Sequence, residues 1–157
     1  MLAYLPRLGT LIEPEAELLL ASSDVTVGFA LDLGLLGFIG ADPTAAIERC
    51  GDRLRLVRVQ LVEESLAARA RAEAWSFPRL AREGVFAPPE PDAPTLNAAA
   101  IGAALASADY RGWLVAAAER LSREDASPDT AAAAKEALDR IASSLEVDRA
   151  RRVKDPS

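Results

Sequence analysis

Histidine is absent from the 157 residues, and cysteine occurs once. Without imidazole the chain lacks the side chain that most often moves protons near neutral pH and that transition metals most often take as a ligand. The lone Cys50 has no second cysteine for an intramolecular disulfide and no histidine to activate its thiol. It is read as a small apolar residue late in a helical pattern that ends at Gly51. Long apolar runs are also missing: stretches such as Leu18–Ala21 and Leu114–Ala118 are far shorter than the roughly 20 residues a bilayer span needs, so no membrane role is expected. Residues 1–10 carry no basic segment followed by an apolar run and a cleavage site, and the expected location is the cytoplasm. Positive charge is in deficit at a net of −6, with Lys and Arg scattered except in Arg149, Arg151, Arg152 and Lys154. Nucleic-acid binding relies on clustered cations, so no nucleic-acid partner is expected, and the terminal cluster is read as a solvated helix end.

What the chain does have is apolar surface. Half of its residues are hydrophobic, enough for one core in a chain of this length, and one domain is expected over residues 1–148 with a charged tail at 149–157. Short apolar runs with strand character recur at Leu2–Leu8, Val25–Leu33, Leu54–Val62 and Trp113–Ala118, each followed by helical signals. That alternation predicts an α/β protein built of parallel βα units. Glu13-Pro14-Glu15 opens a helix through Leu18, Leu19 and Ala21; Asp42 caps and Pro43 begins another that Gly51 closes. A helical stretch over 63–82 is interrupted near Pro78 and stopped by Gly84; prolines at 88, 89, 91 and 94 impose an extended loop, and a helix over 96–107 follows. Ser127-Pro128-Asp129 starts a last helix whose Ala134, Leu138, Ile141 and Leu145 form one apolar stripe. A full (β/α)8 barrel needs about 250 residues and eight strands, so the expected fold is a partial, half TIM-type barrel of about four parallel strands with flanking helices; a small open sheet is the other reading. The open edges of such a half call for a cover, most simply a homodimer that completes the barrel or a complementary half-barrel protein.

Several segments resemble the inosose dehydratases of the sugar phosphate isomerase/epimerase superfamily, over roughly residues 1–145 and thus the C-terminal half of such a protein. Tyr4-Leu5-Pro6-Arg7-Leu8-Gly9-Thr10 is similar to the family's Tyr-His-His-His-Met-Gly-Thr, with the histidines replaced. Leu31-Asp32-Leu33-Gly34-Leu35 and Gly40-Ala41-Asp42-Pro43 resemble Leu-Asp-Thr-Gly-His and Gly-Gly-Asp-Pro; Asp32 is kept and Leu35 stands where a histidine would be. The strand through Val57-Arg58-Val59-Gln60-Leu61 is similar to His-Val-His-Leu-Lys-Asp, so Arg58 replaces a ligand histidine and Gln60 the lysine. Trp75-Ser76-Phe77 and Gly84-Val85-Phe86 echo the family as well. Tyr110-Arg111-Gly112-Trp113-Leu114-Val115 resembles the strand that continues Val-Glu-Ala-Glu-Gln; Ala117 takes the place of a metal-binding glutamate and Glu119 retains the second.

The resemblance implies chemistry at a divalent metal held by carboxylates and imidazole. With Asp32 alone left of the matched ligands and Arg58 adding positive charge, no metal and no other cofactor is expected. Alternation along the third strand puts Leu56, Arg58 and Gln60 on the face that would line a barrel, with Asp32 beside them on the neighbouring strand. Two readings follow: a structural salt bridge between Arg58 and Asp32, or a metal-free small-molecule site. In the second, Asp32 or Glu119 acts as general acid or base, Arg58 steadies an oxyanion, and Arg7, Gln60, Trp75 and Phe86 contact the ligand. The expected function is a repurposed small-molecule-binding protein or a lyase, isomerase or cyclase; the alternative is a non-catalytic subunit that pairs through its open edges.

Overall fold

The run Gly28-Phe29-Ala30-Leu31-Asp32 is buried at every position, as a strand inside a parallel sheet requires when both its faces are covered. It forms strand β2 (Gly28–Asp32) of a computed structural model that describes residues 3–4, 28–86, 96–117 and 128–154. Strand β1 (Ala3–Tyr4) pairs with its one side and β3 (Leu54–Val59) with the other, and β4 (Trp113–Ala116) pairs with β3. All pairings are parallel and the order is β1-β2-β3-β4, without reversal. The helix expected from Glu13-Pro14-Glu15 falls outside the described residues.

One irregularity sets which residues share a face. Phe29 pairs with Leu54 but Ala30 pairs with Leu56, so Arg55 is an extra residue in β3. Beyond this bulge the strict two-residue alternation resumes, and Leu54, Val57 and Val59 join Phe29 and Leu31 on one face. The opposite row carries Ala30, Leu56 and Trp113 at one level and Asp32, Arg58 and Val115 at the next.

The helices come from recognisable signals. Helix α1 (Leu33–Ile39) starts directly at the end of β2, with Asp32 as its N-cap and Gly40 as its C-cap. Helix α2 (Pro43–Cys50) follows the Asp42 cap, whose carboxylate accepts from the Thr44 amide at 2.9 Å, with proline in the first turn where a missing N–H costs nothing. Helices α3 (Glu64–Ala72) and α4 (Phe77–Arg82) are separated by a turn at 73–76, so the break falls earlier than Pro78, which instead opens α4. Helix α5 (Ala98–Ser107) is capped by Asn97, and α6 (Pro128–Lys154) runs for 27 residues, taking in most of the segment that composition sets apart as a tail. There Arg152 donates to Ser107 Oγ at 2.6 Å, tying the end of α6 to the end of α5. Among the described residues no helix is long and apolar enough to cross a membrane.

Successive strands that always step the same way, joined by right-handed crossovers, place the connecting helices on one face. The main core matches that rule: Phe29, Leu31, Val57 and Val59 of the sheet meet Ile47 of α2, Ile101 and Leu105 of α5, and Ile141 and Leu145 of α6. Helices α5 and α6 touch almost backbone to backbone, because a β-carbon on Gly102 would lie 2.5 Å from Ser144 Cβ. A second cluster gathers Phe38 of α1 with Val62, Ala67, Ala70, Trp75, Leu80, Val85 and Phe86.

Tyr110, between α5 and β4, is buried, and its hydroxyl donates to the Trp113 carbonyl at 2.7 Å. Burial pushes its phenol up to about 12 from 10. Folding stability from this group is therefore complete below pH 10 and lost as pH climbs towards 12, because the unfolded chain releases the proton first. Urea unfolding across that window is expected to show a falling free energy in the wild type and a flatter profile in Tyr110→Phe.

Candidate functional site

Asp32 is the last residue of β2 and the residue on which α1 begins, so strand and helix together fix its carboxylate. Its backbone is extended (φ −109°, ψ 110°), and Oδ1 accepts from the Leu35 amide at 3.1 Å. Directly across the sheet in register is Arg58, whose Nη1 lies 3.4 Å from Asp32 Oδ2. The two side chains are 14% and 6% exposed, so the pair sits in an environment where charge is far less screened than on a surface. Gln60 follows one residue beyond the end of β3 and is 2% exposed. Its surroundings select the amide orientation in which Nε2 donates to both Asp32 oxygens, at 3.0 and 3.2 Å. A carboxylate, a guanidinium and a carboxamide thus converge at the carboxyl ends of two neighbouring parallel strands.

Room for this cluster depends on Gly34 in the first turn of α1. A β-carbon there would stand 2.7 Å from the Gln60 carbonyl oxygen and 2.9 Å from Gln60 Cβ, closer than atoms pack. Gly34→Ala is expected to push Gln60 away from Asp32 and cost about 1–3 kcal/mol, the range of an overpacked site. Chemical denaturation measures this, and a loss below about 0.5 kcal/mol would mean that α1 shifts freely instead.

The remaining candidates are placed differently. Trp75 is buried in the second cluster, donates its indole N–H to Glu73 at 2.7 Å and carries the Arg79 guanidinium 4.0 Å above its ring. Phe86 packs between Phe38 and Phe77, with ring centroids 6.2 and 6.0 Å away. The structure therefore brings together Asp32, Arg58 and Gln60 and seats Trp75 and Phe86 in the packing beneath α3 and α4. Arg7 and Glu119 lie outside the described residues. What sequence reasoning missed is α1: Asp32 is a helix cap as well as a strand end, and the glycine at 34 that admits Gln60 is part of the site. A cleft of about 250 Å³ opens at the other end of the sheet, between Asp52, Arg55, Asp109, Tyr110 and Arg111, among the amino ends of β3 and β4.

The donor set around Asp32 does not fit a divalent cation. Its oxygens accept from the Leu35 amide and the Gln60 carboxamide, and Arg58 already supplies positive charge at Oδ2. Among the described residues no group of three or more His, Cys, Asp or Glu side chains is arranged to hold a metal ion.

Fold and site together define an open parallel α/β protein with a buried carboxylate–guanidinium–amide cluster at the strand carboxyl ends. The chain is similar to the rhizopine catabolism protein MocC of Rhizobium meliloti, with 32% identity over 121 residues. The match covers 76% of this chain and 37% of the relative, so the chain spans little more than a third of that protein's length. No family model matches the chain, and no solved structure does.

Proposed function

We propose that this chain is a metal-independent small-molecule-binding protein derived from an inosose dehydratase-like sugar isomerase/epimerase, with Asp32, Arg58 and Gln60 as its site. The observation that carries the reading is their convergence at the carboxyl ends of β2 and β3. Barrels of parallel strands bind ligands at that end, whereas their amino ends serve stability. In this reading Arg58 steadies a ligand oxygen that bears negative charge, and Asp32 exchanges one of its donors for a ligand hydroxyl and takes up or returns its proton. The unreversed strand order and the packing of α2, α5 and α6 against one face of the sheet support a half-barrel architecture.

The test is a thermal-shift screen of cyclic polyols and their ketones, with rhizopine included because the similar protein's name concerns its catabolism. A ligand present at 100 times its dissociation constant adds about 2.7 kcal/mol of stability and so a clear rise in melting temperature. The rise is expected to vanish in Arg58→Lys, which keeps the charge but loses the planar fork. A screen in which no compound moves the wild type sinks the proposal.

A second reading, an interaction subunit that pairs through its open sheet, is favoured by Trp113 and Val115. They are 77% and 38% exposed and lie on the row away from the main core. Light scattering separates the two: pairing through this surface, as a homodimer or with a complementary half-barrel, predicts an assembly that Trp113→Ser dissociates.

A further inference from the structure

We infer that Arg58 is a built-in cation: its guanidinium takes the position beside Asp32 that a divalent ion would require, and the site excludes divalent metal by construction. The inference rests on reading Asp32, Arg58 and Gln60 as the ligand site, and it concerns that site's charge, not the ligand's identity.

Three features carry it. The guanidinium is delivered by strand pairing, since Asp32 and Arg58 are register partners in adjacent parallel strands. Its contact at 3.4 Å from Oδ2 therefore follows from the backbone rather than from a long side chain finding a partner in solvent. Second, the carboxylate is met from two further directions by donors, the Leu35 amide on Oδ1 and the Gln60 carboxamide on both oxygens. A hard cation binds the same lone pairs and repels both N–H hydrogens and guanidinium, so entry would have to displace all three. Third, all three side chains are largely buried: those of Asp32 and Arg58 are 6% and 14% exposed and Gln60 is 2% exposed. Swinging Arg58 aside to admit an ion would break its contact with the Asp32 carboxylate, and separating a largely buried ion pair is costly.

The experiment follows bound manganese by electron paramagnetic resonance and the melting temperature by circular dichroism, for the wild-type chain, Arg58→His and Asp32→Asn/Arg58→His. The wild type is expected to lose all Mn²⁺ on dialysis and to melt at the same temperature with or without millimolar Mn²⁺. Arg58→His, which replaces the cation by a metal-ligating imidazole, is expected to bind Mn²⁺ at least ~10-fold more tightly and to gain a saturable rise in melting temperature. The double variant should lose that gain. Stoichiometric manganese retained by the dialysed wild type overturns the inference by itself, whether or not the variant folds. A folded Arg58→His that binds Mn²⁺ no better than the wild type overturns it as well. A wild type that refuses Mn²⁺ yet binds no polyol supports this inference and defeats the ligand reading, so the two fail separately.

Discussion

Replacing Arg58 with alanine is expected to cost about 3–5 kcal/mol of folding free energy, the range for removing one partner of a buried ion pair. The cost comes from what stays behind. Asp32 keeps the Leu35 and Gln60 donors but loses the Arg58 guanidinium, in a place where its side chain is 6% exposed. For a chain of 157 residues such a loss corresponds to a fall in melting temperature on the order of 10 °C. The double variant Asp32→Leu/Arg58→Met is expected to recover most of it, because two apolar side chains need no partner and a buried pair adds little net stability over them. Urea unfolding of the two single variants and the double variant closes the cycle. A loss below about 1 kcal/mol in Arg58→Ala would show the pair to behave like an exposed one and remove the reason for treating the cluster as a water-poor site.

The same cluster shows how far the sequence alone reaches. That Arg58 and Gln60 share a face follows from strand alternation, and that Asp32 stands beside them follows from the order of the βα units; both are visible in the residues. The bulge at Arg55 is not visible. It shifts the pairing by one residue between Phe29 and Ala30, and without it Arg58 would not be the register partner of Asp32. Helix α1 is hidden for another reason. Leu33-Gly34-Leu35-Leu36-Gly37-Phe38-Ile39 continues the apolar run of β2, and its two glycines lower helix propensity by about 1 kcal/mol each, so neither period nor propensity marks it. The signals that do mark it are Asp32 as an N-cap and Gly40 after its end, both readable once the strand is known to stop at 32. Helix α2, by contrast, is legible in full: Asp42, Pro43 and Gly51 bracket the observed element.

The aromatic residues teach a related lesson. Trp75 and Phe86 sit at junctions of helix and loop, where a ligand pocket and a packing cluster need the same side chains. Only the neighbours decide, and here they are Phe38, Val62, Ala67 and Leu80. Phe38 belongs to α1, whose first residue, Leu33, lies in the main core, so this seven-residue helix spans both clusters and carries Asp32 at its start. Packing at Trp75 and Phe86 therefore bears on the site through the position of α1.

Ile141→Ala is expected to destabilise the protein by about 2–5 kcal/mol, the range for truncating a fully buried aliphatic side chain. Ile141 is completely buried and lies on α6 in line with Ala134, Leu138 and Leu145, the stripe that faces α5 and the sheet. Helix α6 has little reason to exist apart from that contact: most of its surface is charged, and its exposed ion pairs, such as Lys135 with Asp139, each contribute only a few tenths of a kcal/mol. The approach that Gly102 permits at Ser144 leaves no slack for the helices to close over the lost volume, which favours the upper part of the range. Val147, on the same helix two residues past Leu145, is 51% exposed, and Val147→Ala is expected to change stability by no more than about 0.5 kcal/mol. Guanidinium unfolding of the two variants side by side measures the orientation of α6: comparable losses would mean that the helix is not held by its Ala134–Leu145 stripe, and that the main core lacks the wall that keeps β3 and Arg58 in place.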